Sequence, residues 1–268
     1  MDFKEKAKEI RRSIINMIGH LGVGHIGGSL SIVDALVVLY YKHMRIDPRN
    51  PKLEGRDRCI ISKGHSGPAL YAVLADKGYF DKALLLTLNQ PGTKLPSHCD
   101  MNLTPGVDMT TGSLAQGFSA AVGAAKASKI VGDGARIYTI IGDGESQEGQ
   151  VWEAGMFAAN AGLNNLIAFT DDNRCQIDGD TDAINRVEPL VDKWAAFGWN
   201  VIDVKDGHDV DAIDRAVVMA KRSRKRPTMI ILHTIKGKGV SFIEAMGYPN
   251  HNFNISKEQV AAALKELE

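Results

Sequence analysis

Apolar positions along the chain recur in two alternating rhythms. From Asp2 to Leu21, Ile10, Ile14, Met17, Ile18 and Leu21 fall on one side of a helix. Beyond it, short runs rich in β-branched and aromatic residues alternate with stretches of helical spacing. Arg58 to Ser62, Arg136 to Ile141, Asn165 to Thr170, Asn200 to Val204 and Thr228 to Thr234 read as strands. Ile32 to Tyr41, Pro68 to Lys77, Phe118 to Lys129, Val187 to Phe197, Val210 to Arg222 and Ser256 to Leu267 read as helices. A further helix follows Gly142-Asp143-Gly144, with Val151, Trp152, Met156, Phe157 and Ala159 as its apolar side. Apolar strands alternating with helices predict an α/β fold, a mostly parallel sheet with helices on both faces. No repeat, linker or low-complexity stretch divides residues 1–268, so one domain is expected. Asn89 to Met109 lacks periodicity and reads as a long loop, and Lys236 to Asn254 reads as irregular.

Composition narrows the function classes. Lys+Arg and Asp+Glu are both 32, a formal net charge of zero, so no bulk field draws the chain to nucleic acid or an anionic membrane. The densest basic run, Lys221 to Arg226, has no aromatic interleaving and falls at a predicted helix end, where cations suit the helix dipole. No apolar run is long enough for a membrane span, and the charged start lacks a signal peptide's apolar core. Cys59, Cys99 and Cys175 are scattered and form no disulfide framework. A cytoplasmic location is the expectation.

The chemistry concentrates between Arg136 and Gly179. A strand, the Gly142-Asp143-Gly144 turn, a helix and a strand ending in Asp171-Asp172-Asn173 form a βαβ unit. Turn glycines admit a ligand close to the backbone, and the N–H groups at a helix start favour phosphate. Asp143 would repel a bare phosphate unless a cation lies between them. Adjacent parallel strands would bring Asp143 and Asn173 together at the sheet's carboxyl edge, where such sheets bind ligands. Oxygen donors beside phosphate suit Mg²⁺ or Ca²⁺ better than zinc. A lone Gly-Asp-Gly is a common turn; the second acidic strand end shifts the balance towards a metal-bridged diphosphate site.

These two segments, GDGESQEG and DDNRCQIDG, resemble the thiamine diphosphate motif in its transketolase form. Further matches are His25 in GVGHIGG, His65 in SKGHSGP, His98 in LPSHCD and the segment TTGSLAQG. The resemblance implies that Asp143 and Asn173 hold a divalent metal through side chains and Cys175 through its carbonyl. Mg²⁺ is the implied ion, with Ca²⁺ or Mn²⁺ as substitutes. It assigns cofactor contacts to His65, Gly112, Ser113, Leu114, Asp143, Gly144, Glu145, Asn173 and Ile177. His25, His65 and His98 would line the reaction pocket, where imidazole can donate to a developing alkoxide and relay protons near neutral pH. His251 is the loose match to the family's last pocket histidine, and Ile26 stands where the family commonly has proline. Glu148 matches a glutamate that links two active sites across a dimer interface.

The resemblance covers only the diphosphate-binding part of the family's protein. The glutamate that engages the aminopyrimidine, and the basic residues that hold a sugar phosphate, lie in the remaining part. The expectation is therefore an N-terminal subunit of a split transketolase. It would work with a C-terminal subunit carrying the pyrimidine-binding domain, self-associate in a heterotetramer, and transfer a two-carbon ketol unit between sugars or sugar phosphates. The competing readings are the α chain of a 2-oxo acid dehydrogenase and a non-catalytic assembly or regulatory homologue.

Overall fold

A computed structural model describes residues 1–268. Five parallel strands form the central sheet: β1 (Arg58–Ile61), β2 (Ile137–Gly142), β3 (Leu166–Asp172), β4 (Asn200–Val204) and β5 (Thr228–His233), in the spatial order β1-β2-β3-β5-β4. The helices that cover it include α1 (Phe3–Leu21), α2 (Gly67–Lys77), α3 (Gln116–Val131), α4 (Gly149–Asn160), α5 (Leu190–Ala196), α6 (Val210–Ala220) and α7 (Lys257–Glu266). No helix is long and apolar enough to cross a membrane.

Strand alternation builds two cores. Tyr138, Ile140, Ile167, Phe169, Ile230 and Leu232 point to one face and pack with α1, α2 and α6. Ile137, Ile141, Leu166, Ala168, Met229 and Ile231 point to the other and pack with α3, α4 and α5. Both faces of the inner strands are thus buried, which explains runs that are apolar without alternation.

Three expected elements change. The stretch Ile32 to Tyr41 is a short α-helix, Val33–Val38, that widens into a π turn at Leu39–His43. Lys236 to Asn254 is not irregular throughout: it contains a helix at Ser241–Met246, a 3₁₀ turn at Tyr248–His251, and Phe253–Asn254 paired antiparallel with Val23–Gly24. That pairing joins the glycine-rich break after α1 to the tail. In α4 the inward face is Val151, Gly155 and Ala158, because Gly155 admits the Trp194 ring. Met156 and Phe157 face outward, at 59% and 49% exposure.

Candidate functional site

β2 and β3 are direct neighbours, with Gly142 in register with Asp171. Their carboxyl ends open into a cleft of about 400 Å³. The Asp143 and Asn173 turns meet there: Asp143 Oδ1 accepts from Gly144 N at 2.8 Å and Oδ2 from Arg174 N at 2.5 Å. Asp143 is 2% exposed and has no side-chain cation. Burial, reinforced by the charge of Asp171, pushes its carboxyl up to about 7. Asn173 Oδ1 accepts from Cys175 N at 3.1 Å, and the Cys175 carbonyl accepts from Lys236 Nζ at 3.3 Å. A buried carboxylate without a cationic partner, an amide oxygen and a carbonyl held near an ammonium form a donor set that a hard divalent cation fits. No group of three or more His, Cys, Asp or Glu side chains makes a self-sufficient metal cage. A cation here would need oxygens from Asn173, Cys175 and a ligand.

Four imidazoles form another wall. His25 lies 5.6, 5.3 and 5.4 Å, centroid to centroid, from His65, His98 and His251, and His65 lies 4.7 Å from His251. These rings come from four distant breaks in the chain. Burial, with neighbouring positive charge, pulls His25 down to about 4 and His251 down to about 3. Burial also lowers His65, helped by Lys63, and burial lowers His98. The rings are therefore neutral near pH 7, able both to accept and to donate.

The long loop brings His98 in through two anchors. Tyr71 Oη donates to the His98 carbonyl at 3.1 Å, and Thr111 N donates to the Cys99 carbonyl at 3.0 Å. Gly112, Leu114, Gly144, Glu145, Glu148 and Ile177 also line the cleft. Ile177 is 62% exposed at its rim. Ser113, between Gly112 and Leu114, is exposed and does not line the cleft. The Glu145 carboxylate accepts from Ser62 Oγ at 2.5 Å, Ala115 N at 2.7 Å and Gly142 N at 3.0 Å. It thus ties three cleft segments together from within.

Sequence reading missed Lys63, Asp171 and Lys236. Asp171, fully buried, accepts from Lys63 Nζ at 2.5 Å, Ser31 Oγ at 2.7 Å and Asn173 Nδ2 at 2.9 Å on one oxygen and from Thr234 Oγ1 at 2.5 Å on the other. Burial alone would raise its carboxyl, but Lys63 and these donors hold it below the usual range. Lys236, 4% exposed, has no carboxylate partner; burial and Lys63 bring its ammonium down to about 8. Its Nζ lies 3.2 Å from His251 Nδ1. The only local signal was Lys63 beside His65 in one glycine-rich turn.

The sheet, its carboxyl-edge cleft and the paired turns define an α/β cofactor-binding protein. Residues 3–267 match the family described as transketolase, thiamine diphosphate binding domain. A 6-deoxy-6-sulfo-D-fructose transketolase subunit, SqwG, of Clostridium sp. (strain MSTE9) is 58% identical over 100% of this chain and 97% of its own length. One subunit of the apulose-4-phosphate transketolase of Phocaeicola vulgatus is 36% identical over 98% of this chain and 92% of its own length. Among solved structures, transketolase from Leishmania mexicana superposes with a TM-score of 0.95 at 29% identity, and that from Campylobacter jejuni with 0.92 at 33%. This chain spans 41% and 42% of those two chains. The chain belongs to the transketolase family of transferases, as its thiamine diphosphate-binding domain.

Proposed function

We propose that this chain is the N-terminal subunit of a two-chain transketolase, transferring a two-carbon ketol unit from a ketose to an aldose. Thiamine diphosphate would supply the carbanion-stabilising chemistry. Asp143, Asn173 and the Cys175 carbonyl would hold Mg²⁺, or Ca²⁺ or Mn²⁺ in its place, against the diphosphate. The Gly144 N–H, already turned to the Asp143 carboxylate, and Lys236 are the donors near that end. Gly112 and Leu114 would present backbone to the cofactor, and Ile177 an apolar surface. Lys236 also gives the Cys175 carbonyl a cationic neighbour.

The observation that carries this reading is the convergence of four neutral imidazoles on a cleft whose floor is the buried Asp143 turn. His25, His65, His98 and His251 would grip the hydroxyl and carbonyl oxygens of the donor sugar and relay protons between them. A silent homologue has no use for such an arrangement, and membership in the transketolase family removes the 2-oxo acid dehydrogenase alternative. Similarity to the relative named for 6-deoxy-6-sulfo-D-fructose favours that sulfonated ketose as donor over a ketose phosphate. The chain would be cytoplasmic, would engage a C-terminal subunit carrying the pyrimidine-binding domain, and would self-associate in a heterotetramer. Glu148, exposed at the cleft edge, is the residue proposed to reach across that dimer interface.

The test is binding and turnover with the partner chain present. Asp143→Ala or Asn173→Ala should abolish Mg²⁺-dependent thiamine diphosphate binding, measured by calorimetry. Wild-type affinity in both variants would rule the site out. His98→Ala should lower kcat more than cofactor affinity.

A further inference from the structure

Strand register lines up a second set of side chains on the sheet face opposite Asp171. Asp172 is the cross-strand partner of His233. Asp203 pairs with Ile231, which places it diagonal to His233 on the same face. His233 Nε2 lies 2.7 Å from Asp203 Oδ1, and Nδ1 lies 2.8 Å from Asp172 Oδ2. Asp172 is 1% exposed, and neither of its oxygens has an aligned hydrogen bond. Beside that imidazole contact, the nearest guanidinium nitrogen is Arg174 Nε at 3.7 Å. A buried carboxylate with so little support is a costly way merely to end a strand. None of the three residues lines the cleft, so they reach a ligand only through what they position.

Asp172 leads directly into the turn of Asn173, Arg174 and Cys175. Arg174 there adopts the left-handed region at φ 63°, and its N–H meets Asp143. The end of β5 grips both acids of β3: Thr234 Oγ1 donates to Asp171, and His233 faces Asp172. An imidazole carries nitrogens on opposite edges: Nε2 is hydrogen-bonded to Asp203, while Nδ1 contacts Asp172 without an aligned hydrogen bond.

We propose that His233 is a positioning residue for the cation site, tying Asp172 at the end of β3 to Asp203 on the edge strand. The bridge fixes the direction in which the Asn173–Cys175 turn leaves the sheet. This rests on the reading of that turn as a cation site. Partners bonded directly to metal ligands are worth about 10–100-fold in metal affinity when removed, and His233, acting through the residue next to Asn173, is assigned the low end of that range.

The test is Mn²⁺ titration of the chain reconstituted with its partner and thiamine diphosphate, read by electron paramagnetic resonance. His233→Ala should raise the half-saturating Mn²⁺ concentration about tenfold or more, with kcat at saturating Mn²⁺ within about twofold of wild type. Asp203→Ala should shift the midpoint similarly, and the double variant should add little, since the residues act as one bridge. An unshifted midpoint in His233→Ala, or fully additive losses in the double variant, overturns the proposal. Should His233→Ala fail to fold by circular dichroism, Asp203→Leu keeps the approximate side-chain shape while removing the acceptor for His233 Nε2, and its midpoint decides in the same way. A wild-type complex that binds no Mn²⁺ would instead overturn the cation-site reading beneath it.

Discussion

Asp143 and Asp171 occupy the ends of neighbouring strands, yet burial leads them to opposite results. Asp143, without a cation, is pushed up to about 7, whereas Lys63 holds Asp171 ionised in the same interior. Removing one member of a buried pair strands the other's charge, so Lys63→Met should destabilise the fold by about 3–5 kcal/mol. Urea unfolding measures this, and a loss under about 1 kcal/mol would show that the pair matters little. The histidine cluster gives a pH dependence of definite sign. Folded His25 and His251 protonate at about 4 and about 3, against an ordinary value of 6.5. Between pH 6.5 and about 4 the unfolded chain takes up protons that the folded chain refuses, so stability falls as pH drops through that window. The double variant His25→Gln, His251→Gln should flatten the slope of the unfolding midpoint against pH. An unaltered slope would show that the rings titrate freely. Asp143, His25 and His65 were legible because each sits at a glycine break, Asn173 because it follows two acids at a strand end, and His98 because it lies in a long aperiodic loop. Lys63 and Lys236 were not: a lysine in sequence reads as solvated, and nothing local reveals that Lys63 folds inward onto Asp171 or Lys236 onto the Cys175 carbonyl.

Elements meet at this cleft by way of absent side chains. A Cβ on Gly64 would lie 2.6 Å from the backbone C and O of Thr111, and one on Gly117 would lie 2.7 Å from the Ser62 Cα. Backbone cannot yield as a flexible side chain can, so the turn before α2 and the loop before α3 are locked by contact. Gly64→Ala should therefore loosen the loop that presents Gly112 and Leu114, weakening thiamine diphosphate binding at least several-fold. Calorimetry checks this, and unchanged affinity would mean the loop adapts. The order of the strands in the sheet was not read from periodicity, but their positions and most helix bounds followed from it, since both are local consequences of burial. The π turn at Leu39–His43 and the pairing of Val23–Gly24 with Phe253–Asn254 did not, because tertiary packing sets both. Part of the apolar side assigned to α4 was misplaced for a related reason: Val151, Trp152 and Ala159 pack on the core, but Met156 and Phe157 do not. Gly155, which hydropathy ranks low, takes the inward position against Trp194.

At the scale of the whole molecule, the residues left outside are as informative as those within. Met156 and Phe157 on α4 and Ile130 and Val131 at the end of α3 are large apolar groups between 49% and 74% exposed. α3 is rich in alanine and glycine, which permits close approach of another helix. Such a surface fits the proposed self-association. Phe157→Lys should shift the assembled protein towards half its mass in light scattering, and an unchanged mass would place the contact elsewhere. Ile177 at the cleft rim is 62% exposed, and Met101 and Leu103, in the loop that follows His98, are 47% and 46% exposed. The imidazoles and the buried acids share one cleft with Ile177 at its rim, and the proposed partner would meet that rim. A relative matched over 97% of its own length carries a subunit name, whereas solved transketolases are more than twice as long. The purified chain should accordingly show no ketol transfer alone and acquire it when mixed with a C-terminal subunit, in a thiamine diphosphate- and Mg²⁺-dependent manner. Ile177→Asp should raise the partner concentration needed for half-maximal activity, because the exposed side chain would be buried on assembly. Full activity of the isolated chain would overturn the two-subunit reading, whatever the fate of the metal site.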